Sequence, residues 1–355
     1  MTLIEVDSAR QEAFAGRMIN IIDDGCLAFM ISVGHQTGLF DTMAGLPPST
    51  SEEIARASGL TERYVREWLG GMVTGGIVEY SPDSATYLLP REHAASLTRA
   101  AGPENLAGIT QYLALMGEVE QPVVNAFRQG GGVPYSAYPR FQELQAEESG
   151  RVWDAALVDG VLPLAPGLTE RLTAGIDVLD VGTGQGHAMN VLARAFPRSR
   201  VRGVDISTQG IAAARREAEE LGLENAEFAV VDAAEPLGSY DLITAFDVIH
   251  DLARPGRTLA AVSAALRPGG VFLMGEIAAS SKLEENLDHP LGPALYTFSV
   301  FYCMTVSLGE GGEGLGTVWG EQAARAALAE AGFTDVRTHS LEGDFLNLYY
   351  VARKD

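Results

Sequence analysis

The spacing of apolar residues divides the chain into two halves. From residue 10 to about residue 45, apolar positions recur at helical intervals. This periodic set comprises Phe14, Met18, Ile21, Leu27, Met30 and Ile31. From Ile176 onward, short apolar runs alternate with helical segments. Strands that alternate with helices are typical of a doubly wound parallel sheet. The pattern therefore predicts a mainly helical first half followed by an α/β second half.

The first hundred residues show the order of elements found in a winged helix. A break at residues 47–51 is followed by a short helix with Ser51 as its predicted N-cap. Thr61 caps a second helix, and two strand-like runs, IVEYS and TYLLP, flank the turn at residues 82–84. Helix, turn, helix and hairpin in this order predict a winged-helix domain.

The remaining segments complete a three-part division of the chain. Residues 1–100 are predicted to form the winged-helix domain, residues 101–170 a helical linker and substrate cap, and residues 171–355 the α/β domain. The linker is interrupted by a glycine-rich loop at residues 130–135. The tail is predicted to add one helix and two closing strands, TDVRTHSL and NLYYVAR.

Composition and charge narrow the possible functions. The chain has 355 residues, of which 46% are hydrophobic, and a net charge of −22. Such an acidic chain repels phosphate backbones and anionic lipid, which argues against nucleic-acid and membrane partners. The two cysteines, Cys26 and Cys303, match no zinc or disulfide spacing and are predicted to be buried thiols. The N-terminus lacks the pattern of a signal peptide, and no uninterrupted apolar run is long enough to span a bilayer. We therefore predict a soluble, cytoplasmic protein.

A glycine-rich loop follows the first strand of the α/β half. The strand VLDV leads into Gly182-Thr183-Gly184-Gln185-Gly186, and a helix follows. Glycines allow a tight turn and let the backbone approach a ligand closely. Asp180, at the end of the strand, can accept a hydrogen bond from a ligand ammonium group. The spacing Gly-x-Gly-x-Gly differs from the Gly-x-Gly-x-x-Gly of dinucleotide-binding folds.

Acidic residues also end the next two strands. Asp205 follows VRGV and can bind both hydroxyls of a ribose, while Asp232 follows FAVV and can accept from an adenine amino group. Three acids at successive strand ends lie on the ligand-binding edge of a parallel sheet. Their neighbours Ile206 and Ala233, and Phe246 at the end of the fourth strand, are assigned to the same cofactor site.

Because of this glycine-rich loop and these strand-end acids, residues 176–355 resemble the class I S-adenosylmethionine (SAM)-dependent methyltransferases. The front half resembles the dimerisation domain of small-molecule O-methyltransferases. The resemblance implies a Rossmann-like fold, SAM as cofactor, a small and anionic acceptor, and a homodimer.

The winged helix leaves a second interpretation open. A transcriptional regulator would place the second helix, ERYVREWLGGMV, in the major groove of DNA. That helix carries Arg63 and Arg66 but also Glu62 and Glu67. Two arginines are too few for a phosphate footprint, so a role in dimerisation and substrate capping is favoured.

The chemistry is expected at the end of the fourth strand, in Phe246-Asp247-Val248-Ile249-His250-Asp251. In small-molecule O-methyltransferases a His-Asp pair at this point supplies the general base, which implies that His250 takes a proton from an acceptor hydroxyl. Glu276, at the end of the fifth strand, is a weaker candidate for a base or ligand.

A metal-dependent alternative involves His289. The segment around His289 resembles bacterial methyltransferases that modify the β-carbon of 2-oxo acids in peptide-antibiotic pathways. That resemblance implies that His250, Asp251 and His289 hold one iron or zinc ion, which would stabilise an enolate as a Lewis acid. Metal-assisted C-methylation of a 2-oxo acid is the favoured hypothesis, and metal-free O-methylation by His250 is its rival.

Two further features are assigned to the acceptor pocket. The glycine-rich stretch at residues 302–320 is predicted to form a loop over the pocket. Arg140 is the first candidate to bind a substrate carboxylate, and Arg128 is the second.

Overall fold

The computed structural model describes residues 6–342 and 344–354. The chain folds as two units, Met1–Leu115 and Met116–Asp355, with the division inside helix α6 (Gln111–Glu118). The predicted three-part division of the sequence is not tested by this split and stays a prediction.

The first unit has the elements of a winged helix. The predicted long helix is two helices, because Gly38 adopts a left-handed conformation between them. Thr50, rather than the predicted Ser51, is the N-cap of the third helix, and it forms a capping box with Glu53. The elements are α1 (Ser8–Gln36), α2 (Leu39–Ala44), α3 (Ser51–Ser58), α4 (Glu62–Thr74), β1 (Glu79–Ser81), β2 (Thr86–Leu88) and α5 (Arg91–Leu97).

The core of this unit forms around Trp68 on α4. Its ring meets Phe40 edge-on at a centroid distance of 5.2 Å, and its Nε1 donates to the carbonyl of Met30 on α1 at 2.8 Å. A Cβ at Gly34 would lie 2.5 Å from the Trp68 ring, so this glycine lets α1 approach α4. The apolar face of α4 is therefore used to build the domain.

Helix α1 exposes most of its apolar side chains. Phe14, Ile19 and Ile22 are 61%, 67% and 62% exposed. The helix has 29 residues, and its most apolar window of 18 residues has a mean hydropathy of 1.2. Of that window, 17% is buried. By length and composition alone it could cross a membrane, although the prediction that no uninterrupted apolar run is long enough to do so still holds. That prediction considered only uninterrupted apolar runs, whereas α1 intersperses small and polar residues among large apolar ones.

The second unit is built on a seven-stranded sheet in the order β5-β4-β3-β6-β7-β9-β8. Strands β3 to β7 are parallel, and β9 runs antiparallel to both β7 and β8. Its strands are β3 (Asp177–Val181), β4 (Arg200–Asp205), β5 (Ala226–Val230), β6 (Tyr240–Phe246), β7 (Leu266–Ile277), β8 (Asp335–Leu341) and β9 (Asp344–Arg353). The predicted α/β fold and the helix and two strands of the tail are confirmed.

Helices cover both faces of this sheet. One apolar core contains Leu157, Leu192 and Leu242, and the other contains Ile243, Leu259 and Leu328. Strand order reverses between β3 and β6, and in open α/β sheets ligands bind where the strands end at such a reversal. The helices are α7 (Glu120–Gln129), α8 (Phe141–Ala156), α9 (Leu168–Ala174), α10 (His187–Ala195), α11 (Thr208–Glu220), α12 (Pro255–Ala265), α13 (Gly292–Phe298), α14 (Met304–Gly309) and α15 (Gly320–Glu330).

The first part of the predicted pocket loop at residues 302–320 is helical. A π-helical turn, Ser299–Cys303, joins α13 directly to α14. Tyr302 and Val306 are both buried, and their spacing of four residues is that of one helix face. The high glycine content after residue 308 hid this helical periodicity in the sequence.

Candidate active site

The glycine-rich loop turns the chain sharply between β3 and α10. Gly182, Gly184 and Gly186 all have positive φ, at +71°, +54° and +75°. A Cβ at Gly182 would lie 2.2 Å from the Val248 side chain, and one at Gly186 would lie 2.7 Å from the Phe228 ring. A Cβ at Gly184 would meet no atom within 4 Å. Gly182 and Gly186 are therefore required by packing, while Gly184 leaves open space beside the loop.

Asp205 lies at the end of β4 and holds this loop in place. Its Oδ2 accepts from the amide of Gly184 and its Oδ1 accepts from the amide of Ser207, both at 2.8 Å. Burial raises the pKa of its carboxyl. The side chain of Ile206 is 60% exposed. Asp205 thus lies against the loop, and its contact with a ribose stays a prediction.

Asp180 is buried within β3. Its Oδ1 accepts from Thr244 Oγ1 on β6 at 2.6 Å, and burial raises the pKa of its carboxyl to about 7. A carboxyl this far from water is poised to gain from a nearby positive charge.

The other predicted cofactor residues lie further along the same edge. Asp232 is two residues beyond β5, where it accepts from Ala234 N at 2.9 Å and pairs with Arg254 at 2.5 Å. Ala233 is buried, and Phe246 packs against Trp153 with a centroid distance of 4.6 Å. Their contacts with a cofactor remain predictions.

The chain reverses after β6 at a residue in an unusual conformation. Asp247 has a φ of +53°, which is rare for any residue other than glycine. Its Oδ1 is buried without a hydrogen-bond partner among the described residues, and burial raises the pKa of its carboxyl to about 7. This bend ends the strand at Phe246 and starts a 3₁₀ turn, Ile249–Asp251. His250 therefore lies on a turn rather than on the strand.

His250 is paired with Glu276 at the end of β7. Its Nδ1 lies 2.5 Å from Glu276 Oε2, and both residues are almost fully buried. The same carboxylate accepts from the Ile249 amide at 2.9 Å and from Trp319 Nε1 at 3.2 Å. Glu276, which the sequence ranked as a weak candidate, is therefore the residue that orients His250.

The other ring nitrogen of His250 faces Asp251. The distance from Nε2 to Asp251 Oδ1 is 3.2 Å. Burial would lower the pKa of His250, but Glu276 and Asp251 oppose it and raise this pKa well above its usual value. Burial raises the pKa of Asp251. The two carboxyl groups therefore favour the protonated form of His250 against the effect of burial.

Cys303 joins this cluster from the π-helical turn. Donor atoms of His250, Asp251 and Cys303 lie within 4.8 Å of one another. The thiol accepts from Thr317 Oγ1 at 2.9 Å, and burial raises its pKa to about 11. Cys303 is buried as predicted, whereas Cys26 is exposed. Sequence analysis missed Cys303 because only the tertiary fold brings it to His250, from 53 positions away.

The structure does not bring His289 into this cluster. Its Nε2 lies 3.0 Å from the carbonyl of Ala278, and its Nδ1 accepts from the Leu291 amide at 3.1 Å. Both ring nitrogens are therefore used within the segment itself, which does not fit the predicted metal set of His250, Asp251 and His289. One contact is local, with the amide two residues further on, and the other is with the carbonyl of the residue that follows β7.

Arg140 lies beside a carboxylate three residues further along the chain. It precedes α8, and its Nε lies 3.9 Å from Glu143 Oε2, with 42% of its side chain exposed. Its role as a carboxylate ligand stays a prediction.

Comparison with known proteins identifies both parts of the chain. Residues 25–99 match the family described as Rv2258c-like winged HTH domain, and residues 172–297 match the family described as methyltransferase domain. The two matches together span more than half of the chain. The chain thus combines an N-terminal winged HTH domain with a methyltransferase domain, and it matches the class I SAM-dependent methyltransferases with an N-terminal dimerisation domain. This confirms the family predicted from the glycine-rich loop and the strand-end acids.

A curated relative matches about half of this chain. An uncharacterized 37.1 kDa protein in transposon TN4556 of Streptomyces fradiae is 32% identical over 199 residues, which cover 49% of this chain and 56% of that protein. The chain thus spans about half the length of this relative.

Solved structures match almost the whole chain. Human N-acetylserotonin methyltransferase in complex with SAM has a TM-score of 0.70 at 18% identity, covering 100% of this chain and 99% of that one. Mitomycin 7-O-methyltransferase MmcR has a TM-score of 0.72 at 18% identity, with coverages of 98% and 100%. At these identities the likeness establishes the fold.

Proposed function

We propose that this protein transfers the methyl group of SAM to a small-molecule acceptor, with His250 as the base that removes the acceptor proton. The observation that carries the proposal is the buried pair of His250 and Glu276, with Nδ1 and Oε2 2.5 Å apart. When bound, SAM supplies an electrophilic methyl group on a sulfonium. The acceptor then needs a group that takes its proton as the new bond forms.

The glycine-rich loop fits SAM in two respects. The open space at Gly184 lets a ligand approach the backbone. The buried carboxyl of Asp180 is suited to the ammonium group of the methionine moiety, since its pKa is raised by burial and a cation would stabilise its ionised form. We assign the ribose hydroxyls to Asp205 and the adenine amino group to Asp232.

The surroundings of His250 support its role as the base. Glu276 binds the Nδ1 atom of His250, so Nε2 is the ring nitrogen that points away from Glu276. Two donors, the Ile249 amide and Trp319 Nε1, hold Glu276 in turn. This network orients the ring and stabilises the imidazolium that forms when His250 takes a proton. We propose a hydroxyl as the group that loses this proton.

Metal-assisted C-methylation of a 2-oxo acid is a second candidate. The grouping of nitrogen, oxygen and sulfur donors at His250, Asp251 and Cys303 favours it. A divalent cation there would supply Lewis-acid stabilisation of an enolate. The same cation would occupy the Nε2 lone pair that base catalysis requires. Added Zn²⁺ should therefore inhibit the first mechanism and support the second.

The structure offers less support for a DNA-binding regulator. Both arginines of the would-be recognition helix are engaged within α4, Arg63 with Glu67 and Arg66 with Glu62, the latter at 3.3 Å. Together with the net charge of −22, this pairing leaves little positive field for a phosphate backbone.

The pH dependence of turnover tests the proposed base. Because the pKa of His250 is raised, its neutral form exists only at higher pH, and activity should fall as pH drops through that pKa. We expect the acid limb of kcat/KM to lie above about pH 6.5, the ordinary imidazole value. Glu276→Gln removes a stabilising charge, so it should move this limb to lower pH and reduce kcat. Release of S-adenosylhomocysteine, measured with a panel of hydroxylated acceptors and 2-oxo acids, gives the profile.

A matched substitution controls for the loss of a carboxylate. Glu321 on α15 pairs with Arg325 at the surface, at 3.9 Å, so Glu321→Gln should leave the acid limb in place. An unchanged limb in Glu276→Gln would show that His250 is not the titrating base.

We also propose that the protein is a cytoplasmic homodimer that buries α1 between two copies. The exposed apolar residues of α1 form a surface of the kind that binds a partner. The net charge of −22 disfavours an anionic lipid surface as that partner. We expect the double substitution Ile19→Asp and Ile22→Asp to convert a dimer into a monomer. Light scattering coupled to size-exclusion chromatography measures this change.

The neighbouring polar position provides the control. Asn20→Asp adds negative charge to an exposed site on the same helix and should leave the dimer intact. A wild-type protein that is monomeric and floats with liposomes would instead assign α1 to a membrane.

A further inference from the structure

Three side chains, one of them the proposed base, form a set of metal-type donors. An imidazole nitrogen of His250, a carboxylate oxygen of Asp251 and the sulfur of Cys303 lie within 4.8 Å of one another. The first two come from the 3₁₀ turn after β6, and the third comes from the π-helical turn before α14. Such turns are frequent at functional sites because they redirect side chains that an α-helix would point elsewhere.

The imidazole of His250 is prepared as a ligand. Metal-bound histidines usually give their second nitrogen to a carboxylate, which fixes the tautomer and the ring orientation. Here the Glu276 carboxylate lies 2.5 Å from Nδ1 of His250. It also accepts hydrogen bonds from the Ile249 amide and from Trp319 Nε1. Nε2 is consequently the nitrogen directed at Asp251, at 3.2 Å.

Asp251 brings a buried carboxylate oxygen to the same point. Its Oδ1 lies 3.2 Å from His250 Nε2. A cation between Nε2, Oδ1 and the Cys303 sulfur would satisfy all three donors at once.

The chemistry of the donors selects the class of cation. Imidazole, thiolate and carboxylate together suit Zn²⁺ and similar borderline ions, whereas Mg²⁺ and Ca²⁺ prefer oxygen alone. Three protein ligands leave a fourth position open, as in catalytic zinc sites.

We propose that His250, Asp251 and Cys303 bind one zinc-class divalent cation, and that His289 takes no part. This set replaces the one predicted from sequence, because both nitrogens of His289 are bonded within its own segment. The proposal concerns binding alone. It holds whether the cation serves catalysis or blocks the base, so its failure is distinct from failure of the proposed function.

Cobalt binding tests the site without an activity assay. Full-length protein prepared without a metal-affinity tag is stripped with a chelator and titrated with Co²⁺, which absorbs in the near ultraviolet when bound to thiolate. We expect one Co²⁺ per chain with this absorption, displaced by Zn²⁺. Cys303→Ser should abolish the absorption, and Glu276→Gln should weaken affinity by about 10–100-fold. His289→Ala should bind as the wild type does.

Two outcomes would overturn the proposal. One is an absence of stoichiometric Co²⁺ or Zn²⁺ in the wild type. The other is a site lost in His289→Ala but retained in Cys303→Ser. SAM binding and the melting temperature of each variant establish that it is folded.

If Cys303→Ser does not fold, alkylation of the wild type gives the same answer. Zn²⁺ should protect Cys303 from a thiol reagent at least tenfold while exposed Cys26 reacts at an unchanged rate. Equal rates at Cys303 with and without Zn²⁺ would also overturn the proposal.

Discussion

Replacing His250 by alanine is expected to lower kcat by about 10²–10⁴-fold, the usual contribution of a general base. The loss should appear in kcat rather than in SAM affinity, because His250 contacts Glu276 and Asp251 and lies outside the glycine-rich loop. Single-turnover measurements with saturating SAM and acceptor separate the chemical step from binding. A calorimetric titration with SAM measures affinity in the same variant.

A second histidine serves as the control for this experiment. His289→Ala removes an imidazole that is bonded only to its own segment in the described structure, to Ala278 and Leu291. Its kcat should stay near that of the wild type. Similar losses in the two variants would contradict the assignment of His250 as the base and would favour a site that requires both histidines.

Replacing Gly182 by alanine should destabilise the free protein and abolish SAM binding. The left-handed backbone costs an alanine roughly 1–2 kcal/mol. Its Cβ would also lie 2.2 Å from the Val248 side chain, and overpacking of this kind adds about 1–3 kcal/mol. Displacing Val248 would disturb the turn that carries His250. Urea unfolding measures the loss of stability, and calorimetry measures SAM affinity.

Gly184→Ala separates the cost of the left-handed backbone from the cost of overpacking. Gly184 also has a positive φ, but an added Cβ meets no atom within 4 Å. Its free energy of unfolding should therefore fall only by the backbone term of roughly 1–2 kcal/mol. If the open space receives SAM, affinity should nevertheless drop strongly. Equal destabilisation of the two variants would show that the contact with Val248 relaxes at little cost.

Residues at the ends of strands were the ones that sequence analysis could place. The loop from Asp180 to Gly186 and the acids Asp205 and Asp232 each follow a strand, and parallel strands deliver their ends to one edge. Periodicity was therefore enough to predict the fold and to bring these residues together. The same reasoning located His250 at the end of the fourth strand.

The partners of His250 depend on packing that periodicity does not encode. Glu276 lies beside Nδ1 of His250 because β7 is paired with β6 in register. Cys303 lies on a π-helical turn, which has no recognisable pattern in the sequence. His289 shows the opposite error. A resemblance in sequence suggested convergence on His250, but local hydrogen bonds to Ala278 and Leu291 direct its ring elsewhere.

The conformation of Asp247 lowers the stability of the protein but positions His250. Its left-handed backbone costs on the order of 1–3 kcal/mol, and its buried Oδ1 has no partner among the described residues. Glycine would relieve both, so selection for thermal tolerance alone would favour Asp247→Gly. That exchange would also loosen the bend that aims His250 at its neighbours. Engineering for robustness should therefore leave this residue untouched and seek its gains elsewhere in the protein.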